Sequence, residues 1–176
     1  VKHRLAGEKQ PAADVLETLW DIDPLNHFIR FEQYLSRPDA EALEAFQSLI
    51  TNEFPYQTYL ELAATYLKYN QKTDALKVLE ISPDHALVDL WRAFLDEKQQ
   101  ESALDALLAK SIAFVLPYRK ETLAMLKQAR ERRAHWKLDY YLALNLMAFN
   151  EAAQAANLLT GIGETPEEAT FYLNRA

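Results

Sequence analysis

Cysteine is absent from the 176-residue chain, which removes disulfide frameworks, cysteine zinc sites and thiol catalysis from consideration. The absence fits a reducing compartment and tilts the expectation towards the cytoplasm, although a periplasmic chain can also do without cysteine. Glycine occurs three times, at Gly7, Gly161 and Gly163, too rarely for the many tight turns of an all-β architecture. No apolar run approaches the roughly 20 residues that span a bilayer, so no membrane partner is expected. There is no glycine-rich phosphate loop, no GxSxG and no nucleotide fingerprint. The four histidines, His3, His27, His85 and His135, form neither HExxH nor a pair three or four residues apart, so no local pattern supports zinc. Positive charge is short as well: the formal net charge is −7, which argues against general nucleic-acid binding.

What remains is a helix-forming composition. Alanine, leucine, glutamate and lysine dominate, 49% of residues are apolar and 26% are charged, the profile of a folded chain rather than a disordered one. The first ten residues, polar apart from Leu5, read as a linker or frayed end. Pro11 suits a first helical turn, and Ala12, Val15, Leu16, Leu19 and Trp20 follow at helical spacing until Asp23-Pro24 ends the run. Phe28, Phe31, Tyr34 and Leu35 mark the next helix. Ser36-Arg37-Pro38-Asp39 breaks it and offers a cap, and Leu43, Phe46, Leu49 and Ile50 mark the one after.

From Tyr59 to Leu79 the pattern sharpens. Leu62 and Tyr66 lie one turn apart, as do Ala75 and Leu79, so each pair makes an apolar stripe. Ala63 and Ala75 are small enough to let two antiparallel helices cross closely. Asn70 stands where the first must stop, and asparagine tolerates the left-handed conformation of a helix C-cap. Leu142, Ala143, Leu146, Asn150, Ala155 and Leu159 repeat Leu62, Ala63, Tyr66, Asn70, Ala75 and Leu79 at a constant offset of 80 residues. Between the copies, Leu87, Leu90, Trp91 and Phe94 face Ala103, Leu104, Leu107 and Leu108. Residues 118–134 then form an additional helix with Leu123, Leu126 and Ala129 inward. Gly161 and Gly163 end the helix before a last one, which Thr165-Pro166-Glu167-Glu168 is expected to start.

The Tyr59–Leu79 spacing resembles the tetratricopeptide (TPR) repeat, a helical hairpin that buries its face only by stacking on its neighbours. The expected fold is therefore all-α: a right-handed α-solenoid of degenerate TPR-like hairpins, about eleven helices, over residues 11–176. The repeats are degenerate, since Ala75 and Ala103 are 28 residues apart and Ala103 and Ala155 are 52, against an ideal of about 34. The start at Val1-Lys2-His3 and the stop inside a helical pattern at Ala176 suggest a piece of a longer protein.

Three segments carry a narrower resemblance: Pro24-Leu25-Asn26-His27-Phe28, Tyr56-Gln57-Thr58-Tyr59-Leu60-Glu61-Leu62-Ala63 and Pro117-Tyr118-Arg119-Lys120-Glu121-Thr122-Leu123. They resemble the helical half of large bacterial proteins whose TPR-like repeats follow a β-rich domain of unknown function, itself similar to sugar mutarotase or carbohydrate-processing folds. That resemblance implies a helical module attached to a carbohydrate-related domain, and it carries over no catalytic residues.

Two sets of residues are candidates for binding. In the TPR pattern the concave positions are Leu60, Ala64, Val88, Arg92, Tyr140 and Leu144; Arg92 and Tyr140 would anchor polar groups there. Leu60 and Ala64 differ from the lysines and asparagines that hold a terminal carboxylate in chaperone-tail binders, so that ligand class is not expected. The helices carrying Tyr59–Leu67 and Tyr140–Phe149 are apolar almost all round, so they either line the interior or receive an apolar partner. Residues 117–137 hold Arg119, Lys120, Lys127, Arg130, Arg132, Arg133 and Lys137 against Glu121 and Glu131. This basic segment is either a solvated helix face or a docking patch for an acidic partner or the acidic surface of another copy.

No catalytic, cofactor-binding or metal-binding residue is expected. The carboxylates fall in capping turns or on helix surfaces, and spacing alone cannot hold two of them across a cleft. The expected function is a non-catalytic scaffold for a protein partner or another domain of the same protein, with self-association open. The alternative is a helical accessory region of a carbohydrate-acting enzyme whose catalytic domain lies elsewhere.

Overall fold

The computed structural model describes residues 1–175; Ala176, the expected end of the array, lies outside them. Among the described residues the fold is all-α, with twelve helices and no strand. The chain divides into two compact units, Val1–Leu62 and Ala63–Ala176.

The N-terminal unit opens with α1 (Lys2–Leu5), a single turn inside the stretch expected to be a linker, then α2 (Lys9–Ile22), α3 (His27–Ser36), α4 (Ala40–Gln47) and the first half of α5 (Pro55–Lys68). Local chemistry sets these limits. Pro24 disfavours helical backbone at Asp23, which has φ −147°. Asn26 then caps α3, its Oδ1 accepting the Phe28 and Ile29 amides at 3.0 and 3.3 Å. Asp39 caps α4 by accepting the Ala42 amide at 2.9 Å, as the break at Ser36–Asp39 suggested. Both α2 and α4 pack on α3. The core is aromatic: Phe31 and Phe46 are fully buried with ring centres 5.3 Å apart, and Tyr59 meets Phe46 edge-on at 5.7 Å. Burying each ring stabilises the unit by about 1.5–3 kcal/mol.

The C-terminal unit holds the rest of α5, then α6 (Lys72–Glu80), α7 (Ala86–Leu95), α8 (Gln100–Ala109), α9 (Lys120–Arg132), α10 (Trp136–Ala148), α11 (Ala152–Ile162) and α12 (Ala169–Arg175). α7 pairs with α8 and α10 with α11, while α9 packs on both α7 and α10. α9 buries Thr122, Met125, Leu126 and Ala129. The Trp91 indole donates to Thr122 Oγ1 at 3.1 Å, so α7 and α9 share a satisfied polar contact inside their apolar seam. Trp136 and Tyr140 of α10 enclose Phe171 of α12, with ring centres 6.1 and 5.7 Å from it.

The two repeat turns have the same geometry. Asn70 and Asn150 sit at φ 57° and 62°. The Gln71 amide returns to the Tyr66 carbonyl and the Glu151 amide to the Leu146 carbonyl, each at 2.9 Å. This is the Schellman closure, which satisfies the last carbonyls of a helix.

The last helix departs from expectation. It begins at Ala169 rather than at Thr165-Pro166. The Glu168 carboxylate accepts from Ser111 Oγ at 2.8 Å and the Ile112 amide at 2.9 Å, and pairs with Lys137 at 3.3 Å. Pro166 is buried, and its carbonyl accepts the Tyr172 hydroxyl at 2.8 Å. These long-range bonds hold residues 165–168 out of the helix.

Candidate docking groove

The N-terminal unit contains an open groove of about 860 Å³. Its walls are α2 and α4, and the C-terminal end of α3 forms its floor. Alanines face it from both sides, Ala12 and Ala13 from α2 and Ala42 and Ala45 from α4, beside Leu16 and Trp20. Small side chains on facing helices leave space where larger ones would interlock. α2 accordingly has no fully buried residue, although its apolar stripe is that of a core helix. Outside the groove, Val15, Leu19 and Ile22 of the same helix remain 46%, 37% and 75% exposed.

The rim is charged. Glu17 and Glu41 line the groove with Lys9, Arg4 and Arg37. Arg37 is held by Asp39 at 2.6 Å and Glu41 at 3.3 Å. Arg4 makes a two-pronged bond to the buried Glu32, at 3.2 and 2.9 Å, which pins α1 against α3 at one end of the groove. Arg30 lies over the Trp20 ring at 3.3 Å and fixes that indole.

The six concave candidates lie elsewhere. Leu60 belongs to the N-terminal unit and the other five to the C-terminal unit. Leu60, Ala64, Val88 and Tyr140 are buried, while Arg92 and Leu144 are half-buried. Arg92 donates to Gln99 Oε1 at 3.0 Å, and the Tyr140 hydroxyl accepts from Asn174 at 2.6 Å. α10 is buried nearly all round. Its one mid-helix amide, Asn145, is inaccessible and donates to the carbonyls of Pro117 and Arg119.

The basic segment separates into two sets. Arg130 pairs with Asp139 at 2.5 Å, Arg133 with Glu101 and Asp105, and Lys137 with Glu168 and the carbonyls of Leu108 and Lys110. Arg119 lies over the Tyr118 ring at 5.5 Å. Lys120, Lys127 and Arg132 project from α9 into solvent.

Two histidines do structural work at helix starts. His85 and His135 are the N-caps of α7 and α10, each Nδ1 accepting the amide two residues on at 3.1 Å. Burial pushes the His85 pKa down to about 4, with Lys110 adding to the fall against the backbone at Phe114 and Asp84. Burial, then Lys137 and Arg133, lowers His135. Both caps therefore act as neutral acceptors at neutral pH. Burial disfavours the Lys110 ammonium, but hydrogen bonds to Asp89 and Asp84 outweigh it and raise the pKa overall.

Among the described residues no group of three or more histidine or acidic side chains is arranged to hold a metal ion. No described helix is long and apolar enough to cross a membrane. The groove is not legible in the sequence, because its two alanine pairs are about 30 positions apart. Either pair alone resembles ordinary helix surface. The chain matches no protein-family model, no curated protein and no solved structure.

Proposed function

We propose that this chain is a non-catalytic interaction scaffold built from TPR-like helical hairpins, and that the groove between α2 and α4 is where it receives a protein segment. The groove itself carries the reading. An amphipathic helix without one fully buried residue, facing a second helix across alanine walls, leaves apolar surface that a docking side chain can cover. The repeat reading is supported by the matched closures at Asn70 and Asn150 and by the α7–α8 and α10–α11 pairings. A groove whose walls are packed before binding carries a smaller ordering cost.

The test is affinity capture with the intact protein and with Ala13→Arg, which places a long charged side chain on an exposed groove wall without disturbing the core. Captured proteins are identified, purified and titrated against both forms. A partner whose affinity falls at least about tenfold, equivalent to roughly 1.4 kcal/mol, with Ala13→Arg supports groove docking. Equal affinity for both forms overturns it.

A further inference from the structure

We propose that the groove of one copy receives the Phe114 loop of a second copy, so that the protein pairs head to tail with itself. This rests on the docking reading above and names the occupant.

The loop joins α8 to α9 and is built as a projection. Ile112, Val115 and Pro117 are buried, whereas Phe114, Leu116 and Tyr118 are 75%, 43% and 48% exposed. The alternation throws three large apolar side chains to the outside in a segment that is neither helix nor sheet. Phe114 stands at φ 59°, the left-handed region that a bulky side chain adopts rarely and at a cost. Strain of that kind persists where surrounding structure enforces it, and it gathers at functional sites.

The enforcement is visible. Glu168 grips the start of the loop through Ser111 and the Ile112 amide. The Val115 amide returns to the Ile112 carbonyl at 3.3 Å. Asn145 holds the far end through the carbonyls of Pro117 and Arg119. The exposed ring is thus positioned before binding, which lowers the entropic cost of docking.

The groove complements the loop in shape, and the unit that carries it complements the loop in charge. Alanine walls offer volume, and the loop offers large side chains. Arg119 and Lys120 follow the apolar ridge with no acidic residue between positions 111 and 120. The groove lies in a unit with eleven acidic residues against five lysines and arginines. Arg4, Lys9 and Arg37 line it beside Glu17 and Glu41; Arg4 is paired with Glu32 and Arg37 with Asp39 and Glu41, so the attraction comes from the net charge of the unit rather than from the lining. An acidic unit with an apolar groove and a basic apolar projection are the two halves of a heterologous contact, which propagates as a chain or closes into a ring.

Sedimentation of the intact protein tests this. Phe114→Asn removes the projection with a residue that tolerates the left-handed backbone, and Ala13→Arg blocks the groove with a good helix former. Helical content by circular dichroism confirms that both fold. A contact this small implies a dissociation constant between about 10 µM and 1 mM. The wild type should grow in mass with concentration over that range and lose association as salt rises. Each variant alone should stay monomeric, yet an equimolar mixture should form a one-to-one dimer, because each supplies the half the other lacks.

A wild type that stays monomeric up to about 1 mM overturns the proposal. So does a variant that associates like the wild type, or a mixture that stays monomeric. If the wild type is monomeric while Ala13→Arg still abolishes binding of a captured partner, self-pairing fails and groove docking stands.

Discussion

Asn70 and Asn150, 80 residues apart, close their helices through the same left-handed turn, at φ 57° and 62°. The matching bonds from Gln71 to Tyr66 and from Glu151 to Leu146 give the two helix ends the same closure. Replacing either by alanine forces a Cβ-bearing residue without asparagine's local hydrogen bonding into that region, at about 1 kcal/mol. Glycine should restore or exceed the wild-type stability. Urea unfolding of the four single variants tests this, and an alanine variant as stable as the glycine one would show that the turn does not depend on the left-handed residue.

Trp91 and Thr122 are both buried, and the hydroxyl is the acceptor for the indole. Thr122→Val keeps the shape and removes the acceptor, so stability should fall by about 1–2 kcal/mol. Thr122→Ser, which keeps the hydroxyl, should lose less. Equal losses from the two variants would assign the effect to packing.

The histidine caps set an acid limit. A histidine whose folded pKa lies below its unfolded value supports stability above the unfolded pKa and loses it as pH falls, because the unfolded chain takes up the proton first. For His85 the loss runs from about pH 6.5 down to about 4. The gap corresponds to roughly 3 kcal/mol, reduced to about 2 by partial solvent exposure. His135 should add a loss of the same sign. Equilibrium unfolding at stepped pH should show this slope, and His85→Asn, a non-titrating cap, should flatten it.

Arg92 and Tyr140 separate as probes. Tyr140 is fully buried against Phe171, so Tyr140→Ala should cost about 3–5 kcal/mol through the cavity it leaves. Arg92 is half-buried, and its side chain bonds to the exposed-turn residue Gln99. Arg92→Ala should leave stability within about 0.5 kcal/mol. Thermal melts of both decide this, and a loss of binding in Tyr140→Ala reports on docking only if its melt is unchanged.

Phe114→Gly tests the strained loop directly. Relief of the left-handed backbone gains about 1–2 kcal/mol and the added freedom of glycine in the unfolded chain costs about 0.5–1 kcal/mol. Stability should therefore stay level or rise slightly. A loss above about 1 kcal/mol would mean that the exposed ring stabilises the monomer.

Most helices, several of their ends and the matching turns at Asn70 and Asn150 were legible in the sequence because short-range chemistry decides them. Apolar spacing marks the buried faces, Asp39 caps an adjacent helix and Asn70 accepts a left-handed turn within its own residue. The groove was not legible, since Ala12 and Ala13 meet Ala42 and Ala45 only after both helices pack on α3. Residues 117–137 read as one basic run, but packing spends Arg130, Arg133 and Lys137 on carboxylates that include Asp105 and Glu168. Glu168 also delays the last helix, which local rules start at Thr165. Helix-forming tendency and capping act over about four residues, and they settled the elements of this chain. The groove, ion pairs such as Arg133–Asp105 and Lys137–Glu168, and the grip of Glu168 on the Phe114 loop depend on groups tens of residues apart, and only tertiary contact brought those together.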